Sequence, residues 1–146
     1  MPMTEAEYLA FREAFRADHH RYPPVQSLMG MEMVRLTPTI ICSMELTDDV
    51  RGSAKGTVHG GLLATFADTT SAAALWEAFE PGSEVPVTTD MHVRYYRQPR
   101  SGPLMAEATV VHRGRRLLGT ECVVTDAEER VLVRSTATYM VVPLTR

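Results

Sequence analysis

From Leu62 to Phe79 the chain is apolar or small nearly all the way round, with Leu62, Leu63, Ala64, Phe66 and Ala67 followed by Ala72, Ala73, Ala74, Leu75 and Trp76. A helix that is apolar on every side has to be buried, so the rest of the chain is expected to surround this one. The small residues from Ser71 to Ala74 would let another element approach closely, and Pro81-Gly82 is the expected stop. At 146 residues the chain has the size of one domain, expected over 1–146, and can bury a core without disulfides or metals.

What surrounds the helix is read from period-two alternation. Ile40, Cys42, Met44 and Leu46 alternate with Ile41, Ser43 and Glu45. After the helix, Val87, Thr89, Met91, Val93 and Tyr95 alternate with Thr88, Asp90, His92 and Arg94. Leu104 to Arg113 alternates again, Gly114 marks a hairpin, Leu117 to Thr125 follows, and after an acidic turn at Asp126 to Glu129 the stretch Val131 to Val142 closes the chain. Leu28 to Leu36 is expected as a further short strand, and polar Asp48 to Gly56 as a loop. Ahead of these, Thr4 to about His20 reads as a helix with a Thr4/Glu7 capping box. It carries a Tyr8, Phe11, Phe15 stripe expected in the core, and Tyr22-Pro23-Pro24 stops it. Short turns between consecutive strands give an antiparallel sheet. The expected class is α+β: a sheet wrapped around one long buried helix, with an extra helix at the N-terminus.

Composition narrows the function by exclusion. Net charge is −3, so nothing global favours nucleic acid. No stretch approaches the roughly 20 apolar residues of a spanning helix, and the N-terminus is not that of a signal peptide; the expectation is a cytoplasmic protein. Cys42 and Cys122 sit in apolar stretches without metal-ligand spacing and are expected as free buried thiols. His19, His20, His92 and His112 form no ligand pattern, so no metal is expected.

Chemistry concentrates where Gly56-Thr57-Val58-His59-Gly60-Gly61 runs into the apolar helix. The first turn of a helix presents free N–H groups and the positive end of the dipole, which can hold an oxyanion; two glycines can also simply open a helix. Asp68 is the only charge between His59 and Glu77. A lone carboxylate in an apolar helix costs energy to desolvate. It is either a site residue or a core acid satisfied by Thr65, Thr69, Thr70 or Ser71. Eight residues separate Gly60 from Asp68, about 12 Å of rise on an ideal helix. One chain is therefore not expected to bring both onto one reacting group. If they act together they come from two chains, at a homodimer interface with antiparallel helices.

The string His59-Gly60-Gly61-Leu62-Leu63-Ala64-Thr65-Phe66-Ala67-Asp68, with Val87-Thr88-Thr89-Asp90-Met91 and Tyr95-Tyr96 before Pro99, resembles the hotdog thioesterase superfamily. Within it the string looks most like the branch containing phenylacetate-pathway thioesterases and thioesterase superfamily member 2. The likeness spans roughly Leu28 to Val142. It implies an acyl-CoA thioesterase, a homodimer and a dimer of dimers. The Gly60 N–H would polarise the thioester carbonyl, and Asp68 of the partner subunit would activate water or attack directly. His59 would help hold the turn and the thioester end, and a hydroxyl on the next strand would position water. That hydroxyl is Thr88 if the match is made on Asp90-Met91 and Thr89 if it is made on Pro99. The family often has Asn six residues before the His; here Ser53 offers only a shorter hydroxyl. The resemblance places Gly61 and the basic hairpin of Arg113, Arg115 and Arg116 near coenzyme A; these arginines, and a second group at Arg94, Arg97 and Arg100, either form a basic rim for its phosphates or are solvated turn residues. Trp76, Phe79, Met91 and Tyr95 would line an apolar acyl pocket. No cofactor is implied beyond coenzyme A as part of the substrate. The competing expectations are a non-catalytic acyl-CoA binder on the same fold, kept open by Ser53, and a hotdog dehydratase or hydratase.

Overall fold

The computed structural model describes residues 3–18 and 25–144. Six strands form one antiparallel sheet in the order β1-β2-β4-β5-β6-β3. They are β1 (Met31–Arg35), β2 (Ile40–Met44), β3 (Glu84–Tyr95), β4 (Leu104–Arg113), β5 (Leu117–Thr125) and β6 (Val131–Pro143). Helix α1 spans Glu5–Asp18, α2 is a single turn at Val25–Leu28, and α3 covers Gly60–Ala73. Helix α3 contacts β2, β3, β4, β5 and β6. This is the expected α+β arrangement of a sheet about one helix, a hotdog fold.

The core is the seam between α3 and the inner face of the sheet. Leu63, Phe66 and Ala67 of the helix meet Ile40, Cys42, Met44, Leu104, Ala106, Ala108, Cys122, Val124, Leu132 and Val133, all buried. Truncating a residue such as Phe66, fully buried, to Ala would cost about 3–5 kcal/mol in transfer and cavity terms. Both cysteines are free and buried. Burial pushes the Cys122 thiol up to about 12, which keeps it protonated and unreactive.

Several expectations are corrected. Helix α3 stops at Ala73 rather than running to Phe79: Leu75, Trp76 and Ala78 instead make backbone bonds three residues back, to Ala72, Ala73 and Leu75. Tertiary packing overrides the apolar pattern there, since Leu75 is buried with Leu118 and Tyr139 and Trp76 lies with its ring centroid 5.7 Å from that of Tyr8. Nor is α3 buried all round. Leu63, Phe66, Ala67, Thr70 and Ser71 are buried, whereas Leu62, Ala64, Thr65, Asp68, Thr69 and Ala72 are half-buried and Gly61 is exposed. Leu28 belongs to α2, and β1 begins only at Met31, after Gly30 turns the chain at φ 64°. Asp48–Val50 forms a short 3-10 turn inside the expected loop.

At the N-terminus the capping box is present: Glu7 Oε2 accepts from the Thr4 N–H and hydroxyl, both at 2.7 Å, and Glu7 N–H donates to Thr4 Oγ1 at 3.3 Å. Of the aromatic stripe only Tyr8 enters the core; Phe15 is 42% exposed and stacks on Phe11. His19, His20 and the Tyr22-Pro23-Pro24 stop lie outside the described residues. No helix among the described residues is long and apolar enough to cross a membrane.

Candidate active site

His59 is the N-cap of α3. Its backbone is extended, and its Nδ1 accepts from the Gly61 N–H at 3.0 Å, which satisfies one of the free donors of the first turn. That bond requires the imidazole proton on Nε2 when the ring is neutral. It also explains Gly61, since a Cβ there would lie 3.1 Å from the His59 ring. The Gly61 N–H is thereby occupied, whereas the Gly60 N–H has no partner among the described residues.

Two residues that sequence reasoning did not place in this role pin the turn. Tyr95, on β3, donates from its hydroxyl to the Gly60 carbonyl at 2.9 Å. Gln98 accepts from the Val58 N–H at 2.8 Å through Oε1 and reaches the Val58 carbonyl at 3.4 Å through Nε2. The Tyr95-to-Pro99 string was visible as a motif; its function as a clamp on the turn was not.

Asp68 lies two turns further along α3, and its carboxylate is held from the sheet. Thr88 Oγ1 on β3 donates to Asp68 Oδ1 at 2.9 Å, and the Tyr139 hydroxyl on β6 donates to the same oxygen at 2.8 Å. The helix hydroxyls that stood as the alternative partners do not bond it. Thr65 donates to the Gly61 carbonyl and Thr70 to the Phe66 carbonyl, while Ser71 Oγ has no partner among the described residues. Burial and the neighbouring Asp68 charge push the Tyr139 phenol above its ordinary value, so it remains a protonated donor. No arginine, lysine or histidine forms an ion pair with Asp68 among the described residues.

The pairing of β3 with β6 shifts register between Thr88 and Asp90. An extra residue in one strand inverts which face its side chains take. The expected alternation of Val87 and Thr89 with Met91, Val93 and Tyr95 is thereby broken. Thr88 joins the helix-facing set, and Thr89 instead donates to the Thr138 carbonyl at 3.1 Å. Of the two hydroxyls left open by the sequence, Thr88 is the one that touches Asp68.

The remaining candidates lie elsewhere. Ser53 sits exposed on a turn, whose closing bonds come from Gly52, Ala54 and Thr57. Arg113 pairs with Glu77 at 3.1 Å, and Arg115 and Arg116 are exposed at the β4–β5 hairpin. A cleft of about 270 Å³ opens among Leu36, Pro38, Ile40, Trp76, Val110 and Arg113, and none of His59, Gly60, Asp68 or Thr88 lines it. Of the four expected pocket residues only Trp76 borders this cleft; Phe79 and Met91 pack against the core, and Tyr95 clamps Gly60. No group of three His, Cys, Asp or Glu side chains among the described residues could hold a metal ion.

Comparison with known proteins matches residues 55–133 to the family model of the thioesterase superfamily. This stretch contains the His59 turn, Asp68 and Thr88. Among solved structures, a thioesterase from Haemophilus influenzae is similar with a TM-score of 0.78 at 23% identity, over 92% of each chain. A thioesterase family protein from Silicibacter pomeroyi gives 0.78 at 22% identity, over 92% of this chain and 99% of its own. A mutant thioesterase from Pseudomonas aeruginosa gives 0.78 at 20% identity, over 90% of this chain and 94% of its own. No curated protein matches the sequence.

Proposed function

Because the chain belongs to the thioesterase superfamily, we propose that it hydrolyses the thioester of an acyl- or aryl-coenzyme A to the free acid and coenzyme A. Within the superfamily the phenylacetate-type branch is the one whose motif the His59-to-Asp68 string resembles. The observation that carries the reading is the pair of complementary groups on α3. One is a helix-terminal N–H at Gly60 without a partner among the described residues. The other is a carboxylate at Asp68 held by neutral hydroxyls through one oxygen only. A donor at a helix N-terminus stabilises the charge that develops on a carbonyl oxygen during addition. Asp68 takes the proton of the attacking water, or adds directly to the carbonyl carbon to give an anhydride that water then opens. In either route the carbon–sulfur bond breaks, the electron pair leaves with sulfur, and the thiolate is a good enough leaving group to need no strong acid. His59, committed through Nδ1 to Gly61, keeps the turn in shape. Thr88 donates to Asp68 and retains acceptor lone pairs for water.

Gly60 and Asp68 are too far apart on one helix to serve one carbonyl, so the site assembles from two chains. Two features support this. Strand β3 is an edge strand of twelve residues with one side unpaired in the sheet, the kind of edge that pairs with another chain. The half-buried face of α3 around Leu62, Ala64, Thr65 and Ala72 also offers apolar surface to a second copy. A dimer of dimers is the further assembly the reading carries. Coenzyme A enters as part of the substrate and no other cofactor takes part. Arg115 and Arg116, exposed and without ion-pair partners among the described residues, suit its phosphates. Arg113, tied to Glu77, is less available. The setting is the cytoplasm.

The test is free-thiol release from a panel of acyl- and aryl-coenzyme A thioesters by wild type and Asp68→Asn. Turnover by the wild type that falls by at least about 10³-fold in the variant, with the oligomer intact, is the expected result. Unchanged turnover in Asp68→Asn would sink the assignment. The second reading, a non-catalytic acyl-CoA binder, is favoured by Ser53 at the position where the family often has Asn. Tight binding without thiol release by the wild type would select it.

A further inference from the structure

Tyr139 lies on β6, outside the stretch 55–133 that the superfamily model matches. Its side chain is fully buried, with Leu75, Leu118 and Ala137 in the same cluster. The hydroxyl leaves that apolar setting and reaches α3, 2.8 Å from Asp68 Oδ1 and 3.0 Å from the Asp68 carbonyl oxygen. Thr88 Oγ1 meets the same Oδ1 from β3 at 2.9 Å. Two donors from two strands converge on one carboxylate oxygen, and Oδ2 has no donor among the described residues.

We propose that Tyr139 is a positioning residue for thioester hydrolysis, fixing Asp68 through Oδ1 so that Oδ2 faces the reacting carbonyl. It touches neither substrate nor reacting atoms. Neutral hydroxyls suit this task better than a guanidinium, because they orient the carboxylate without cancelling its charge. A buried phenol suits it better than a flexible surface side chain, because its ring is locked by packing. The inference rests on Asp68 being the reacting carboxylate.

Tyr139→Phe keeps the ring and removes only the hydroxyl. With the best thioester of the panel, kcat is expected to fall about 10–100-fold, the loss of one hydrogen bond to a charged group, with KM within about threefold. In the Asp68→Asn background the same change should add nothing further, because Tyr139 acts through Asp68. An unchanged kcat in the single variant, or an equal loss in both backgrounds, overturns the proposal.

The contact is read independently of activity by proton NMR. Wild type should show a slowly exchanging tyrosine hydroxyl proton that disappears in Tyr139→Phe and moves in Asp68→Asn. If Tyr139→Phe does not fold, this resonance carries the test, and its staying in place in Asp68→Asn overturns the contact. A wild type that shows the resonance but hydrolyses no thioester overturns the hydrolase reading and the positioning role together. Hydrolysis with unaltered kcat in Tyr139→Phe overturns the positioning role alone.

Discussion

Asp68 and Asp126 are both carboxylates set against the sheet, and the chain treats them in opposite ways. Asp126, in the turn between β5 and β6, is buried to 1% exposure. Its Oδ1 accepts from the Glu128 and Arg130 N–H groups, each at 3.1 Å, and its Oδ2 accepts from the Arg100 N–H at 3.3 Å and from the Arg130 guanidinium. Burial alone would raise its pKa, but the Arg100 and Arg130 N–H groups and the Arg130 guanidinium outweigh it and hold the carboxyl below its ordinary value. Both of its oxygens are occupied. Asp68 is held through one oxygen, by two hydroxyls and, among the described residues, by no cation. A carboxylate that ties a turn together uses all its acceptor capacity; one placed to react must leave some unused.

The largest expected effect separates the two by stability. Asp126→Ala removes the hydrogen-bonded partner of the half-buried Arg130 guanidinium, leaving it only Glu128 at 3.6 Å, and the acceptor of three N–H groups, a cost of about 2–4 kcal/mol measurable by denaturant unfolding. Asp68→Asn should shift the same transition by less than about 1 kcal/mol, because Thr88 and Tyr139 can still donate to an amide oxygen. A loss of similar size in both would erase the distinction. Asp126 also gives the contrast a pH dependence. Its folded pKa lies below the ordinary 3.8, so its ionised form stabilises the fold in full above about pH 5. That contribution fades as pH falls through the depressed value, and the stability gap between wild type and Asp126→Ala should narrow with it.

The next effect in size concerns the hydroxyls of β3. Thr88→Val removes a donor to a charged group and should lower kcat about 10–100-fold. Thr89→Val removes only a bond to the Thr138 carbonyl and should change kcat by less than about threefold. The reverse order of effects would mean that Thr89, not Thr88, serves Asp68.

This pair also shows where the sequence stops being readable. The long strands were legible because they alternate: β4 and β5 run over Leu104–Arg113 and Leu117–Thr125, as the pattern predicts. A bulge has no pattern of its own, so the register shift at Thr89, which decides which threonine faces the helix, was invisible. Asp68 stood out as a lone charge in an apolar run. Tyr139 did not: it follows Asp68 by 71 residues in an ordinary β-branched and aromatic strand, and nothing local distinguishes its hydroxyl from any strand tyrosine. The end of α3 was misread because the residues after Ala73 stay apolar while their packing against Tyr8 and the sheet is non-local. The contact between His59 and Gly61 was local, but it depended on a cap geometry that the motif only suggested.

The smallest effect tests a third kind of polar group. Thr120 is 1% exposed, and its Oγ1 has no partner among the described residues; Ser71 and Ser135 share that condition. A buried hydroxyl without a partner destabilises, so the nearly isosteric Thr120→Val should leave stability unchanged or raise it by up to about 1 kcal/mol. Turnover should not change, since Thr120 does not touch Asp68. A gain in stability with full turnover would make Thr120 a tolerated imperfection of packing, unlike either aspartate. A gain in stability with a loss of turnover would place it with Asp68, because an unsatisfied polar group retained at the cost of stability marks a functional seam. The buried hydroxyls beneath α3 would then belong to the active site, and the boundary drawn at Tyr139 would move inward to β5.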